Sequence, residues 1–363
     1  MLKEFMETYI QDTRIVRKIM NGKQSDRLIE EFAEIIATIP DEALDENILF
    51  IPVDSFQKFS ECIRINWRGS VQDILLYDAY LIFLCGYLNT MYLSEKEVVG
   101  DVQRFISKVL AEECMIYKKD SAALYWALDY HSRNAYSIEE ELLDEGKALS
   151  QMEQVQEWYI MAHEIGHWMF YKSTYRDSEI AKKIKSGVKE LICDYIGQSK
   201  ASVMDGKGYQ EYLDACMDEI YNENFIIEEC VCDTFAYSFV FKKAISQKYK
   251  LENIIEAILL LYLNLEVFSM VNLTVSDFDT YDVETTIRLI FLKYYLKEFA
   301  MTEECYQEVI QRAYFRYEER IMSQVLNFLE KADDMMENLS QIECLIKPLR
   351  KDELARTLVQ IDL

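Results

Sequence analysis

Little in this chain interrupts a helix. Its 363 residues include three prolines, Pro40, Pro52 and Pro348, and ten glycines, none of them after Gly208. Proline lacks the amide hydrogen a helix needs, and glycine costs a helix interior about 1 kcal/mol relative to alanine. A chain this poor in both is expected to be mainly α, with its longest helices in the last third. Helical patterns run over Asp26–Ile39, Ser70–Leu93, Leu251–Met270 and Ile287–Arg316. Tyrosines and phenylalanines recur at helical spacing in the last third and read as core. Ile48–Val53 reads as a short strand or an extended link, and Cys114–Tyr117 as a second β-prone stretch that could edge a cleft. Gly187, Gly197, Gly206 and Gly208 mark Ser186–Gly208 as a surface connection or a lid. Three regions follow: an N-terminal helical region over 1–110, a core over 111–246 and a C-terminal helical region over 247–363.

Composition narrows the partners. Half of the residues are hydrophobic, enough for a sizeable core. With 64 acidic against 39 basic residues the net charge is −25, a surface that repels phosphate backbones, and no basic stripe offsets it. Nucleic acid is therefore not an expected partner. The acid excess reads mainly as a solubility feature, with attraction of basic substrates as its functional reading. Nine cysteines at irregular spacing, in apolar contexts such as Leu84-Cys85-Gly86 and Leu191-Ile192-Cys193, read as reduced, buried thiols. The first residues, Met1 to Glu7, carry acids where a signal peptide needs a basic start, so a cytoplasmic location is expected. The apolar stretches Ala79–Leu88 and Ala257–Leu265 fall short of the roughly 20 residues that cross a bilayer, so no membrane span is expected. The oligomeric state is left open.

The chemistry concentrates in His163-Glu164-Ile165-Gly166-His167. The chain has three histidines, and two of them stand four residues apart, where the helical repeat puts both imidazoles on one face. That geometry suits two ligands of one tetrahedral zinc, and Glu164 is placed to act as general base toward the metal's water without being a ligand. A bland alternative is an amphipathic helix whose histidines make ordinary hydrogen bonds. From Val155 to Tyr171, however, only Gln156, Glu157 and the motif residues are strongly polar, so this helix is expected to be buried nearly all round. A buried Glu164 then needs a compensating cation. Gly166, unfavourable inside a helix, suggests close approach by another backbone or a substrate.

The third ligand is not supplied by a third histidine at metzincin spacing, because Phe170 and Ser173 occupy the positions where that pattern has glycine and histidine. The segment Glu228-Glu229-Cys230-Val231-Cys232-Asp233 offers a carboxylate instead. Glu229 and Asp233 share a helix face, so Glu229 can bind the metal while Asp233 accepts the outer N–H of a ligand histidine. Glu228 lies about 100° round the helix and has no acid four positions on; it ranks lower and is expected to be nearly silent when mutated. Cys230 and Cys232 have no matching pair elsewhere, and Cys232 reads as a small packing residue beside the site.

Together, H-E-x-x-H and the run Glu229, Cys232, Asp233, Phe235, Ala236 resemble the gluzincin zinc peptidases, in particular the HtpX-like and CAAX prenyl protease group and the related ImmA/IrrE-like group. A third element of the HtpX-like group, H-P followed by arginine, has a counterpart in Asp282–Arg288 that keeps only the arginine. The resemblance implies a zincin-like metallopeptidase core and a cofactor Zn²⁺ held by His163, His167 and Glu229. It further implies hydrolysis of a peptide or protein substrate, with Glu164 taking a proton from water and returning it to the leaving amine. The donor to the developing oxyanion is open between Arg288, Tyr281 and His131, Arg288 having the family position. A different class of function also fits: a regulatory or interaction module on a peptidase-like fold with a structural zinc.

Overall fold

Ile48 to Ser55, where β-branched and aromatic residues cluster, is extended, as the sequence suggests, and it sits in a sheet whose other members are less visible. The structure is a computed structural model that describes residues 17–39, 48–58, 60–67, 70–134, 146–171, 225–276 and 302–343, with single positions between them that include Arg288, Phe291, Leu292 and Leu296. Tyr281, and Ser186–Gly208 apart from its first two residues, lie outside the described residues.

Strands β1 (Arg17–Ile19), β2 (Ile48–Ser55), β3 (Glu61–Trp67) and β4 (Ser70–Asp78) form one sheet in the order β1-β2-β4-β3. β2 runs parallel to β4, with Ile48 opposite Asp73 and Val53 opposite Asp78. β3 runs antiparallel to β4, with Cys62 opposite Leu75 and Arg64 opposite Asp73, and forms one edge. Side chains alternate between faces. Ile51, Val53, Ile74 and Leu76 gather on one face, and Leu75 and Tyr77 join the main core on the other.

Two expectations are corrected here. Ser70–Leu93 is not one helix: β4 ends at Asp78, whose carboxylate accepts from the Tyr80 amide at 3.1 Å and caps the helix α2 (Ala79–Leu93). A capped N-terminus wins over the continuous apolar run. Cys114–Tyr117 is not a strand either, since Cys114 to Ile116 form the last turn of α3 (Val99–Ile116), where Cys114 and Met115 are buried in the helical core.

The remaining described elements are helices, and the fold is mainly α. α1 (Lys23–Ile36) buries Leu28, Phe32 and Ile35, a stripe at helical spacing. α4 (Asp120–Ser132), α5 (Gly146–Tyr171), α6 (Phe225–Ser246) and α7 (Leu251–Val275) follow. A last rod joins α8 (Glu303–Tyr317) through a π-helical turn at Glu318–Met322 to α9 (Ser323–Glu343). Around that turn Arg316 donates to the Leu93 carbonyl at 2.9 Å and Arg320 to the Lys96 carbonyl at 2.6 Å, satisfying acceptors at and beyond the end of α2.

One continuous core runs from Leu28 to Met336 and draws on all three regions of the sequence. Its spine is α7. By length and composition that helix is apolar enough to cross a membrane, longer than the stretch read from the sequence, and here most of it is buried by protein. The aromatic residues of the last third are core at Tyr306 and Tyr317, whereas Tyr314 and Phe315 are exposed. Cys85, Cys114, Cys230 and Cys232 are buried free thiols, as their contexts suggest, whereas Cys62 and Cys305 are half-buried.

Candidate metal centre

α5 packs more extensively on α6 than on any other described element, and the two helices carry the motif residues. Gly166 permits this. A Cβ built there would stand 2.8 Å from the Cys232 Cα, closer than such atoms approach, so the glycine answers to the backbone of α6. Cys232 is fully buried and is the small packing residue expected beside the site.

The contact sets His163 and His167 against Glu229. The two histidine Nε2 atoms lie 3.1 Å apart, His163 Nε2 lies 3.1 Å from Glu229 Oε2, and His167 Nε2 lies 3.1 Å from Glu229 Oε1. Donors on a tetrahedral ion with bonds of about 2.1 Å would stand about 3.4 Å apart, so the three separations suit one small cation. Among the described residues this is the one His/Cys/Asp/Glu cluster with that convergence.

Each imidazole is backed by a carboxylate. His163 Nδ1 is 2.9 Å from Asp233 Oδ1, as the helical spacing suggests. His167 Nδ1 is 3.0 Å from Glu228 Oε1, a contact that the helical spacing of α6 alone does not indicate. Each imidazole thus has an outer carboxylate on α6, Asp233 behind His163 and Glu228 behind His167. With the ring hydrogens on the two Nδ1 atoms, each facing its carboxylate, neutral rings turn three lone-pair groups toward one point. Such a cluster needs a cation at its centre, either a metal or added protons. In the metal-free protein protons compete: burial disfavours charge on His163, but Glu229 and Asp233 raise its pKa, and contacts with Cys232, Glu228 and Glu229 raise that of His167. Burial likewise disfavours charge on Glu229 and Asp233, but the histidines hold Glu229 ionised and Arg288 with His163 does so for Asp233.

Glu164 stands apart from these pairings. It hydrogen-bonds to no other described residue, and burial pushes its carboxyl up to about 7, the histidines opposing and Glu229 assisting. Its electrostatic neighbours include Glu61 and Cys62, which open the edge strand β3. The sheet is tied to the motif helix by Asp73 of β4. That carboxylate accepts from Trp168 Nε1 at 2.8 Å and from Arg64 Nε and Nη2 at 2.6 and 2.9 Å.

Of the three oxyanion-donor candidates, Arg288 is at the centre, but engaged. Its Nε and Nη2 donate to Asp233 Oδ2 and Oδ1 at 2.9 and 2.7 Å, and Nη1 is 3.7 Å from Glu229 Oε2. This is a fork that orients a carboxylate. His131 is exposed at the end of α4, a helix packed on α3 and α9, and is not part of the cluster. Tyr281 lies outside the described residues. The sequence reading missed Glu228 and Tyr159. Tyr159 precedes His163 by one helical turn, stacks on its ring and donates to Asp233. Its signal was an aromatic residue four positions before a motif histidine, which a buried helix offers too freely to single out.

Comparison with family models, with curated proteins and with solved structures finds no match to this chain, so the site is read on its own geometry.

Proposed function

We propose that the chain is a zinc-dependent metallopeptidase with a zincin-like core, in which His163, His167 and Glu229 hold the metal and Glu164 is the general base. The observation that carries this reading is the convergence of three ligand atoms, each 3.1 Å from the next, with a carboxylate behind each imidazole. Zinc bound there supplies a Lewis acid that activates water and polarises a carbonyl. Glu164, lacking a described hydrogen-bond partner and following His163 on the same helix, takes the proton from the attacking water and passes it to the departing amine. Asp233 and Glu228 hold the two histidines in the tautomer that leaves Nε2 free. Arg288 holds Asp233.

An extended peptide fits the edge of the sheet. β3 has β4 on one side, and its first residues neighbour Glu164 electrostatically, so a substrate strand added along β3 brings a peptide bond toward the base. The cleft-edge role suggested for Cys114–Tyr117 belongs to β3 in this reading. The competing function, a module with a structural zinc, calls for a closed site with four protein ligands, whereas three converge among the described residues.

The test is metal content of protein purified without chelator, with hydrolysis of a mixed peptide library by wild type and Glu164→Gln. Stoichiometric zinc in both proteins, with cleavage confined to the wild type, is the expected result. Zinc with no cleavage by either would favour the structural-zinc module, and absence of zinc would remove the metal centre.

A further inference from the structure

Behind the metal centre three tyrosine hydroxyls form a line that neither metal binding nor proton transfer uses. The ring of Tyr159, on α5, stacks on His163 with centroids 6.0 Å apart and planes 20° apart, and its hydroxyl donates to Asp233 Oδ1. The hydroxyl of Tyr262, on α7, is 2.5 Å from that of Tyr159, and the hydroxyl of Tyr237, on α6, is 2.7 Å from that of Tyr262. All three side chains are buried.

Proton counting gives the line a direction. An ionised carboxylate only accepts, so the single hydroxyl hydrogen of Tyr159 is spent on Asp233. In its bond to Tyr262 the Tyr159 oxygen must then accept, which spends the hydrogen of Tyr262. Tyr237 must donate in turn. The chain runs one way, from Tyr237 through Tyr262 and Tyr159 to Asp233, and hydrogen bonds so aligned polarise one another. Arg288 closes it from the side: Nη2 lies 3.4 Å from the Tyr159 oxygen, and the guanidinium sits 5.0 Å over the Tyr262 ring. Asp233 is therefore gripped by a hydroxyl and a guanidinium besides His163. Among the described residues, Tyr159 alone touches both the imidazole face and the carboxylate beside it.

We propose that Tyr159 is a positioning residue for His163. Its ring sets the plane of the imidazole and its hydroxyl sets the carboxylate of Asp233, so that Nε2 points at the place shared with His167 and Glu229. Tyr262 keeps the Tyr159 hydroxyl turned toward Asp233. The inference rests on the metal centre described under Proposed function.

Tyr159→Phe keeps the ring and deletes the hydroxyl. Tyr317→Phe serves as the structural control: it too deletes a buried hydroxyl, one bonded to Asn264 Oδ1 at 2.9 Å in the core. Three readouts apply to each variant: zinc affinity by competition with a chelator, the visible spectrum of the Co²⁺ form, and the thermal midpoint. Tyr159→Phe is expected to weaken zinc about tenfold, the lower end of what an orienting partner contributes, and to shift the Co²⁺ bands. Tyr317→Phe should lower the thermal midpoint and leave both metal readouts in place. If Tyr159→Phe lowers only the thermal midpoint, its role is structural and the inference fails. Should Tyr159→Phe not fold, Tyr262→Phe, one hydroxyl further away, must show a smaller change in the same direction; unaltered Co²⁺ bands there overturn the proposal. Wild type that takes up no zinc overturns the metal centre itself, and this inference with it.

Discussion

Gly166 and Cys232 leave no room for a side chain between α5 and α6, a Cβ on the glycine coming within 2.8 Å of the Cys232 Cα and 3.0 Å of its Cβ. The contact lies between the two histidines on one helix and one turn beyond Glu229 on the other, so it sets the spacing of the triangle of His163, His167 and Glu229. Gly166→Ala should therefore lose more than it gains. The helix gains about 1 kcal/mol from alanine, and overpacking against backbone costs typically 1–3 kcal/mol. A lower thermal midpoint together with weaker zinc binding is expected. Gly100→Ala is the matched control: nothing lies within 4 Å of its built Cβ, and that variant should be neutral or more stable.

Glu228 gives the second test. Its carboxylate backs His167 as Asp233 backs His163, so Glu228→Ala and Asp233→Asn should each weaken zinc on the order of 10- to 100-fold. Glu229→Gln should weaken it more, because it removes the sole carboxylate among the three converging residues. Glu179→Ala, at an exposed acid paired with Lys182, should leave zinc affinity unchanged in the same chelator competition. Equal affinity for wild type and Glu228→Ala would show that Glu228 does not orient His167.

The sequence exposed the centre unevenly, for physical reasons. His163 and His167 could be read as neighbours because residues four apart share one helix face. Glu229 and Asp233 could be read for the same reason. Glu228 could not, because its role depends on where His167 points across the α5–α6 contact, and a helical wheel of α6 alone does not hold that information. Arg288 was visible as a residue, but its engagement with Asp233 was not. In the fold, β4 and α2 merged into one apolar run, since a short buried strand and a buried helix have no distinguishing period. Asp78, an acid directly before Ala79-Tyr80-Leu81, was the available sign of a helix start. The β-forming residues at Cys114–Ile116 misled because packing overrides local propensity. β3 carried Glu61, Arg64 and Asn66 among its apolar residues, which hid a strand that only pairing with β4 explains.

A pH dependence follows from Glu153 of α5, whose carboxylate packs against α2 where Gly86 leaves it room. Burial, with help from Glu157 and against Arg27, raises its carboxyl from 4.5 to about 7. The folded protein thus holds this proton more tightly than the unfolded chain. Below about pH 4.5 both states are protonated and Glu153 has no effect; between 4.5 and 7 the folded state progressively loses stability, and above 7 the loss is complete. Solvent reaches part of the side chain, so the loss is discounted to on the order of 1 kcal/mol. Glu153→Gln should recover it. Urea denaturation at pH 5 and pH 8 should show the variant gaining more on wild type at the higher pH, and an equal difference at both would contradict the raised carboxyl.

Asn264 lies in the middle of α7, fully buried in a helix otherwise apolar enough for a membrane. Its Nδ2 donates to Asn89 Oδ1 at 3.0 Å, and its Oδ1 accepts from the Tyr317 hydroxyl at 2.9 Å. Asn89 continues the network by donating to Gln156 Oε1 at 2.9 Å, and Gln156 donates to the Ala257 carbonyl at 3.0 Å. Four helices, α2, α5, α7 and α8, are thereby held in register by amides that apolar packing alone would not distinguish. Asn264→Leu leaves Asn89 Oδ1 and the Tyr317 hydroxyl short of partners in a dry core, a cost of about 2–4 kcal/mol. Tyr317→Phe added to that variant removes one of the stranded groups, so the double variant should be more stable than the sum of the two single losses predicts. The coupling should be on the order of 1 kcal/mol in urea denaturation. Strict additivity would mean that Asn264 and Tyr317 act independently, and that the register of α7 against α8 is set by packing alone.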